Sequence, residues 1–131
     1  MKPIKESSRL KDFIERMLTA EKRNLESLSI VLCSDTFLHQ INLKYLAHDN
    51  LTDIITFDYT NSPGTINGEI YISIDRIKEN ADTFNQTIRR EMHRVIFHGI
   101  LHLCGYKDKL RDDQKLMRQK EDEYLTRYFS K

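Results

Sequence analysis

Apolar side chains recur at helical spacing near the start of the chain. Positions i, i+3, i+4, i+7 and i+8 share one face of a helix, because a helix repeats every 3.6 residues. With Ser7 or Ser8 as the N-cap, the pattern predicts an amphipathic helix to about Arg23. The apolar face of this helix comprises Leu10, Phe13, Ile14, Met17 and Leu18.

The following stretch changes from a helical pattern to a short apolar run. Residues 29–33 are apolar and β-branched, which predicts a buried strand. Ser34 or Asp35 then caps a second predicted helix, and Asp49 with Asn50 indicates a turn after it. We expect the inner side of this helix to contain Phe37, Leu38, Ile41 and Tyr45.

Two strands and three helices are predicted in the rest of the chain. Segments 54–59 and 66–74 flank a turn at 61–64, so we expect an antiparallel hairpin. Asp75 caps a helix to about Phe84, and Asn85 or Thr87 starts a helix that runs through Leu103. A highly charged last helix extends from about Arg111 to Phe129. Packed positions in these two last helices are expected at Ile88, Val95, Ile96, Gly99, Leu116, Tyr124, Leu125 and Tyr128.

This order of elements predicts an α+β fold. We expect a small mixed β-sheet of three to four strands packed with about five α-helices. A length of 131 residues is that of one small domain, so residues 1–131 are assigned to a single domain.

Charge and cysteine content narrow the class of protein. The 21 basic and 20 acidic residues give no overall basic field. Residues 86–131 hold 11 basic and 7 acidic side chains, which suits either a phosphate-facing surface or a solvated helix.

Cys33 and Cys104 form no Cys-x-x-Cys pair, which excludes a disulfide framework. No segment approaches the ~20 apolar residues of a membrane span, and we expect a cytoplasmic protein.

The helix that ends near Leu103 contains a metal-binding pattern. His98 and His102 are four residues apart and therefore lie on one helix face. Gly105 can end the helix in the left-handed conformation and return Asp108 toward the two imidazoles. Two nitrogens and one carboxylate leave a fourth position for water, which favours one catalytic Zn²⁺ per chain. Iron, nickel or manganese also accept this ligand set.

Other interpretations share part of this pattern. A histidine pair on an apolar helix can simply pack and bond to main-chain carbonyls. Zinc peptidases of the His-Glu-x-x-His type have the same spacing, but they place a general-base glutamate where this chain has Gly99. A peptidase is therefore disfavoured, and the small Gly99 would instead let a sheet or substrate approach closely.

The segment His98-Gly-Ile-Leu-His-Leu-Cys-Gly-Tyr106 resembles the His-Gly-x-Leu-His-Leu-x-Gly-Tyr signature of the YbeY family of metal-dependent endoribonucleases. Thr52-Asp-Ile-Ile-Thr-Phe57 is similar to the family's Thr-Asp-Val-Leu-Ser-Phe strand. Gly68-Glu-Ile-Tyr-Ile-Ser73 is similar to its Gly-Asp-Ile-x-Ile-Ser strand. With residues 42–45, the resemblance covers roughly residues 25–110.

The resemblance implies cleavage of phosphodiester bonds in single-stranded RNA. It implies ribosomal RNA or the small ribosomal subunit as partner, in rRNA 3′ end maturation and ribosome quality control. Neither a membrane nor DNA is expected as a partner. His98 and His102 are the expected catalytic metal ligands. Asp53 is a candidate general base, because its segment matches a family strand.

Two positions depart from the family pattern. The third ligand is usually a histidine, whereas this chain has Asp108, an anionic ligand that partly neutralises a metal. The family arginine thought to assist catalysis follows the tyrosine matched by Tyr45, and this chain has Leu46 there. Other cations would have to supply that charge. By chemistry alone, the candidate RNA-binding residues are Lys44, Arg89, Arg90 and Lys107.

Two further classes of function stay open. One is a metal-dependent hydrolase of another substrate, and the other is a ribosome-associated protein with a structural metal. A structural zinc would be expected to have a fourth protein ligand, and the sequence offers no obvious one. We expect Glu91 to be structural, and His39, His48 and His93 to be solvated or packed. Aromatic side chains that could stack RNA bases, although most are expected to pack, are Tyr45, Phe57, Tyr59, Tyr71 and Tyr106.

Overall fold

The computed structural model describes residues 8–46 and 52–130, together with the main chain of residues 2–3. This part of the chain forms five helices and four strands. In chain order they are β1 (Lys2–Pro3), α1 (Ser8–Ala20), β2 (Asn24–Cys33), α2 (Asp35–Leu46), β3 (Ile54–Asp58), β4 (Thr65–Ser73), α3 (Ile74–Thr83), α4 (Ile88–Leu103) and α5 (Arg111–Phe129).

The four strands form one mixed sheet with the order β1-β2-β4-β3. Strands β3 and β4 make the predicted antiparallel hairpin, whereas β2 and β4 are parallel. The β2–β4 pairing extends from Asn24 opposite Thr65 to Cys33 opposite Ser73. Strand β2 is therefore longer than the predicted segment 29–33. The first residues of β2 are exposed, and main-chain pairing holds them in the sheet. The sequence there has no run of buried apolar residues from which a strand could be predicted.

The main core lies between one face of the sheet and helices α1, α3, α4 and α5. Branched aliphatic side chains of β4 meet the apolar faces of α1 and α4 there, and Ile70 and Ile72 are completely buried. A second cluster on the opposite face of the sheet packs α2 through Leu38 and Ile41. The α+β prediction is confirmed, with the sheet held between helices on both faces.

Close contact between α4 and the sheet depends on Gly99. A Cβ at this position would lie 2.8 Å from Cδ1 of Ile54 and 3.1 Å from Cδ1 of Ile70. Strands β3 and β4 therefore approach α4 at the residue that follows His98. Gly99 therefore lets the sheet approach α4 closely. A sheet was one of the two close approaches predicted from the sequence, and a substrate was the other.

Three positions predicted to pack are instead largely exposed. Tyr45 in the last turn of α2 is 61 % exposed and meets Phe57 edge-on at its rim. Ile88 is the first residue of α4, where the helix has not yet reached the core. In α5, Tyr124, Leu125 and Tyr128 are buried as predicted, but Leu116 is 45 % exposed. The adjacent Met117, about 100° around the helix, is buried instead. The predicted turn at Asp49 and Asn50 lies outside the described residues.

Candidate metal centre

Three potential ligand atoms converge at the end of α4. Nε2 of His102 lies 3.0 Å from Nε2 of His98 and 3.2 Å from Oδ2 of Asp108. The third side of this triangle, from Nε2 of His98 to Oδ2 of Asp108, measures 3.4 Å. Among the described residues this is the cluster of histidine, cysteine or acidic side chains suited to holding a metal ion.

Hydrogen bonds on the outer side of each imidazole decide which ring nitrogen faces the centre. Nδ1 of His102 lies 3.0 Å from the carbonyl oxygen of Tyr106, which can only accept a hydrogen bond. Nδ1 of His98 lies 2.6 Å from Oε2 of Glu121, a carboxylate oxygen. Both Nδ1 atoms therefore donate, so in each neutral ring Nε2 presents a lone pair to the other ligands.

Glu121 belongs to a buried ionic chain that joins α4 to α5. Arg94 donates from Nη1 to Oε1 of Glu121 at 2.9 Å and from Nε to Oε1 of Glu91 at 2.9 Å. Both carboxylates are 2 % exposed. Burial alone would raise the pKa of Glu121, but hydrogen bonds from His98 and Arg94 outweigh it and hold the pKa below its usual range. The pKa of Arg94 is raised despite its burial, because both carboxylates bond to its guanidinium.

The charges and distances of this arrangement fit a divalent cation. Arg94 balances one of the two buried carboxylates, which leaves one negative charge beside His98, and Asp108 adds a second. Three lone-pair atoms within 3.4 Å of each other repel unless a cation lies among them. Ligands placed ~2.0–2.2 Å from a tetrahedral zinc lie about 3.3–3.6 Å apart, within a few tenths of an ångström of the observed triangle.

The turn after α4 places the remaining parts of the centre. Gly105 has a φ of 103°, and its N–H donates to the carbonyl of His102, while the N–H of Tyr106 donates to that of Leu101. These two bonds form a Schellman motif, so the predicted glycine stop is confirmed. The same reversal brings the Tyr106 carbonyl to Nδ1 of His102 and the Asp108 carboxylate to Nε2.

A second carboxylate, in the turn that follows α1, fixes this part of the chain. The hydroxyl of Tyr106 donates to Oε1 of Glu21 at 2.7 Å, and the hydroxyl of Tyr124 donates to Oε2. Nζ of Lys120 lies 3.6 Å from the same carboxylate. Burial would raise the pKa of Glu21, but the two hydroxyls and Lys120 outweigh it, so the pKa lies below its ordinary value of 4.5.

One side of the centre opens into a surface cleft of about 660 Å³. His102 and Asp108 lie at its inner end, and Asp108 is 39 % exposed. Lys107 and Lys109 place two cations at this cleft, and Leu110 and Tyr106 give it apolar walls. An anionic substrate could therefore reach the ligands from this side.

Comparison with known proteins agrees with the sequence resemblance. Residues 2–129 match the family described as Endoribonuclease YbeY. The chain belongs to the YbeY family. The Endoribonuclease YbeY of Christiangramia forsetii is 48 % identical over 115 residues, covering 88 % of this chain and 80 % of the relative. The corresponding protein of Flavobacterium johnsoniae is 45 % identical over 117 residues, with 89 % and 84 % covered.

A solved structure shows the same architecture. The solution structure of a Thermotoga maritima protein superimposes with a TM-score of 0.68 at 29 % identity. The superposition covers 96 % of this chain and 85 % of that one. Membership of the YbeY family supports an endoribonuclease role, and the His98–His102–Asp108 cluster could hold the metal ion on which the family depends.

The four RNA-binding candidates do not form one group in the structure. Lys107 lies at the cleft, whereas Lys44 lies near the end of α2 with Nζ 5.3 Å from the ring centre of Tyr45. Arg89 and Arg90 are in the first turn of α4, at the opposite end from His102. Leu46, at the family's arginine position, is 40 % exposed at the end of α2.

Asp53 and the other histidines occupy distinct places. Asp53 immediately precedes β3, and its carbonyl accepts the N–H of Ser73; it is not part of the ligand cluster. His93 is packed as predicted, stacked on Tyr128 with ring centres 4.7 Å apart. His39 is half-buried on α2, and His48 lies outside the described residues.

Sequence reasoning missed Glu121 and Glu21 entirely, although Glu91 was predicted to be structural and is. Each missed residue contacts the site from a segment distant in sequence, Glu21 from the turn after α1 and Glu121 from α5, which has many similar charged residues. Of the aromatic side chains named as possible stacking residues, Tyr45 and Tyr59 are half or more exposed, and Phe57, Tyr71 and Tyr106 are partly buried.

Both cysteines are free and buried, and burial raises the pKa of Cys104 to about 11. No helix within residues 8–46 or 52–130 is long and apolar enough to cross a membrane.

Proposed function

We propose that this protein is a zinc-dependent endoribonuclease that cleaves single-stranded RNA at the His98–His102–Asp108 centre, with one Zn²⁺ per chain. The proposal rests on one observation above all, the meeting of Nε2 of His98, Nε2 of His102 and Oδ2 of Asp108 within 3.4 Å of one another. The hydrogen bonds at the two Nδ1 atoms assign the tautomers that direct both Nε2 lone pairs to this point. Family membership supports RNA as the substrate. We further propose rRNA 3′ end maturation and ribosome quality control in the cytoplasm as its role, with residues 1–131 acting as one domain.

Each ligand residue has a distinct task in this proposal. A bound zinc ion supplies Lewis acidity toward a phosphoryl oxygen and lowers the pKa of coordinated water. His98 and His102 present neutral nitrogens whose direction is fixed by Glu121 and the Tyr106 carbonyl. Asp108 reduces the positive charge of the centre and borders the open cleft. The cluster has three members in the described part of the chain, which favours an open catalytic position over a structural metal.

The cleft supplies contacts for the substrate. Lys107 and Lys109 can neutralise phosphate charge beside the reacting bond, in the absence of an arginine at Leu46. Lys44, exposed beside Tyr45, remains a candidate for a contact further along the RNA. Tyr106 keeps its hydroxyl on Glu21, so its ring edge rather than its oxygen is available to a base.

Asp53 is the proposed general base. It directly precedes Ile54, whose side chain packs on Gly99, next to His98 in α4. Ile54 brings the main chain at the start of β3 close to α4. The proposal for Asp53 itself rests on the match of its segment to the family strand. We expect Asp53→Asn to lower kcat on the order of 100-fold or more while metal content stays the same. Equal kcat in the variant and the parent protein would remove Asp53 from the mechanism.

Metal analysis combined with cleavage of a labelled single-stranded RNA tests the function. We expect about one zinc per parent chain, and loss of both metal and cleavage in His98→Ala and Asp108→Ala. His39→Ala, which removes a half-buried histidine from α2, is the matched control and should keep both. Metal reconstitution after chelation, with zinc, manganese and iron compared, identifies the preferred ion. A metal-loaded protein that leaves RNA intact would contradict the nuclease and favour a binding role.

A further inference from the structure

A group of arginines surrounds the aromatic side chains at the C-terminal end of α5. The guanidinium of Arg9 lies 4.3 Å from the ring centre of Tyr128. Those of Arg89 and Arg90 lie 4.9 and 5.7 Å from the ring centre of Phe129. The two rings are adjacent, with centres 5.2 Å apart. We call this the arginine surface, and it comprises Arg9, Arg16, Arg89, Arg90, Arg127, Tyr128 and Phe129.

Most of the charge of this surface is not balanced by the residues that the structure describes. Arg9, Arg16 and Arg127 line one cavity of about 370 Å³, and Arg127 pairs with Glu123 at 2.8 Å. Within residues 8–46 and 52–130, no carboxylate lies within ion-pair distance of Arg9, Arg16, Arg89 or Arg90. Arg9 also donates to the Tyr128 carbonyl, which uses one of its five N–H groups. The described residues therefore leave the charge of four guanidiniums uncompensated, which suits an anionic partner.

The position of Arg89 and Arg90 is unfavourable for the stability of their own helix. Thr87 is the N-cap of α4, so both arginines lie in its first turn, where the helix dipole is positive. Acidic rather than basic side chains stabilise a helix there. His93, one turn further along, has a pKa lowered by burial and by the neighbouring charges of Arg89 and Arg9. Contacts among the described residues therefore do not account for the concentration of positive charge.

Stacked guanidiniums beside aromatic rings suit a nucleic-acid backbone. Planar arginine side chains bind phosphate through two parallel N–H groups, and stacking on a ring holds that plane in place. Phosphate contacts of this kind position a nucleic acid without reading its sequence. An RNA strand is the polyanion that an endoribonuclease would present to this surface.

Two helices give the same distance between the arginine surface and the metal centre. Arg89 precedes His98 by nine residues of α4, about 13 Å along the helix axis. Phe129 follows Glu121, the partner of His98, by eight residues of α5, about 12 Å. Nine residues also turn Arg89 to the opposite side of α4 from His98, so a strand that reaches both must pass around the protein surface. At ~3.4 Å per stacked nucleotide, the axial separation alone requires about four nucleotides.

We propose that the arginine surface binds the phosphodiester backbone of the RNA substrate at least about four nucleotides from the cleaved bond. This inference depends on the proposed ribonuclease function and adds a second contact region to it. The surface holds and orients the strand and takes no part in the bond cleavage. Its contribution requires an RNA long enough to reach from the cleft to the far end of α4.

The test compares RNA lengths in an Arg89→Gln/Arg90→Gln double variant. Binding of a 2′-O-methyl RNA to the metal-loaded protein is measured by fluorescence anisotropy over a range of salt concentrations. With an oligonucleotide of about 12 nucleotides, we expect affinity to fall about 10-fold at 0.15 M salt, and the slope of log K against log salt to decrease by about 1.4. With an oligonucleotide of about three nucleotides, the double variant and the parent should bind equally.

The matched control is Lys11→Ala/Lys78→Ala, which removes two exposed positive charges outside the arginine surface. The affinity of this control variant for the long RNA should change by less than half of the change expected for the Arg89→Gln/Arg90→Gln variant. We expect the melting temperature of the Gln variants to equal or exceed that of the parent, because two charges opposed to the dipole of α4 are removed. A lower melting temperature would instead assign the arginines a structural role.

Three results would overturn the proposal. They are unchanged binding of the long RNA, equal loss for long and short RNA, and an equal effect in the control pair. Cleavage of a short RNA is measured separately with unmodified substrate and depends only on the centre. Absence of that cleavage, with length-dependent binding intact, would reject the nuclease while retaining the arginine surface as an RNA-binding site.

Discussion

The two histidines of the metal centre are held in different ways. His98 is fixed by a buried ionic chain, in which Glu121 and Arg94 link α4 to α5. His102 is fixed by a main-chain carbonyl in the turn that follows its own helix, and its neighbour Asp108 is partly exposed. One half of the centre is thus built by tertiary packing and the other by local chain reversal.

Because of this difference, substitutions on the His98 side should change both protein stability and metal affinity, whereas substitutions of Asp108 should change mainly metal affinity. Charges on the His98 side are buried, so removing one partner leaves another without compensation. The Asp108 carboxylate can be solvated, so its loss affects the ligand set and little else. We expect substitutions on the two sides to have different consequences, and four measurements examine this contrast.

The largest effect is expected for Glu121→Ala. This change leaves part of the Arg94 guanidinium and Nδ1 of His98 without an acceptor in a buried place, and should cost about 3–5 kcal/mol of unfolding free energy. Zinc affinity should fall about 10–100-fold, because His98 loses its orienting partner. Glu121→Gln, which keeps an acceptor oxygen, should lose less of both. Urea unfolding of the metal-free protein and zinc titration measure the two quantities, and a fully stable Glu121→Ala protein would contradict the contrast.

Asp108→Ala should show the opposite pattern. We expect its unfolding free energy without metal to stay within about 0.5 kcal/mol of the parent, because the side chain is partly exposed. Zinc affinity should fall by more than the ~10–100-fold typical of losing an outer partner. Asp108→His, which supplies the ligand usual in the family, should restore metal binding. Similar losses of stability in Asp108→Ala and Glu121→Ala would show that both halves are equally coupled to the fold.

Gly105→Ala tests the local turn. A φ of 103° is unfavourable for a residue with a Cβ, and the nearest atom to that Cβ would be 3.9 Å away, so the cost is conformational. We expect about 1–3 kcal/mol of destabilisation and weaker zinc binding. Gly64→Ala, at a φ of 78° in the turn between β3 and β4, is the matched control. It should lose stability without losing zinc affinity, and equal zinc affinity in both variants would remove the turn from ligand placement.

The smallest effect is expected for Glu21→Gln and depends on pH. Because the folded pKa of Glu21 lies below its ordinary 4.5, the unfolded chain binds a proton at this carboxyl first as the pH falls. The stability contributed by Glu21 is therefore complete above about pH 5 and is lost as the pH falls through the folded pKa. We expect Glu21→Gln to cost about 1 kcal/mol at neutral pH and to show a shallower decline below pH 5. Parallel curves for variant and parent would contradict the lowered pKa.

The same contrast explains which parts of the site could be predicted from sequence. His98, His102, Gly105 and Asp108 lie in one continuous segment, so helix periodicity and a glycine stop were sufficient to bring them together. Glu121 could not be distinguished from its acidic neighbours, because its role depends on which face of α5 meets α4. Tyr124, Leu125 and Tyr128 were predicted to pack and do, but the apolar pattern of α5 did not distinguish Leu116, which is exposed, from Met117, which is buried.

The fold was predicted with similar limits. Strand and helix order followed from apolar periodicity, and the hairpin from its turn. The parallel pairing of β2 with β4 joins segments about forty residues apart, and no local pattern records it. Exposure of Tyr45 at the rim of the sheet likewise depends on where α2 crosses the strands, which periodicity alone does not fix.

The Schellman turn at Gly105 also bears on the order in which the protein is assembled. All three ligands precede α5, and joining them closes a short loop at little entropic cost. Helical turns form within about a microsecond, far faster than residues are added during synthesis. The ligand set can therefore form on a growing chain once Asp108 has been added, whereas Glu121 reaches His98 only after α5 has been made. The three ligands His98, His102 and Asp108 are therefore synthesised before Glu121, the residue that orients His98.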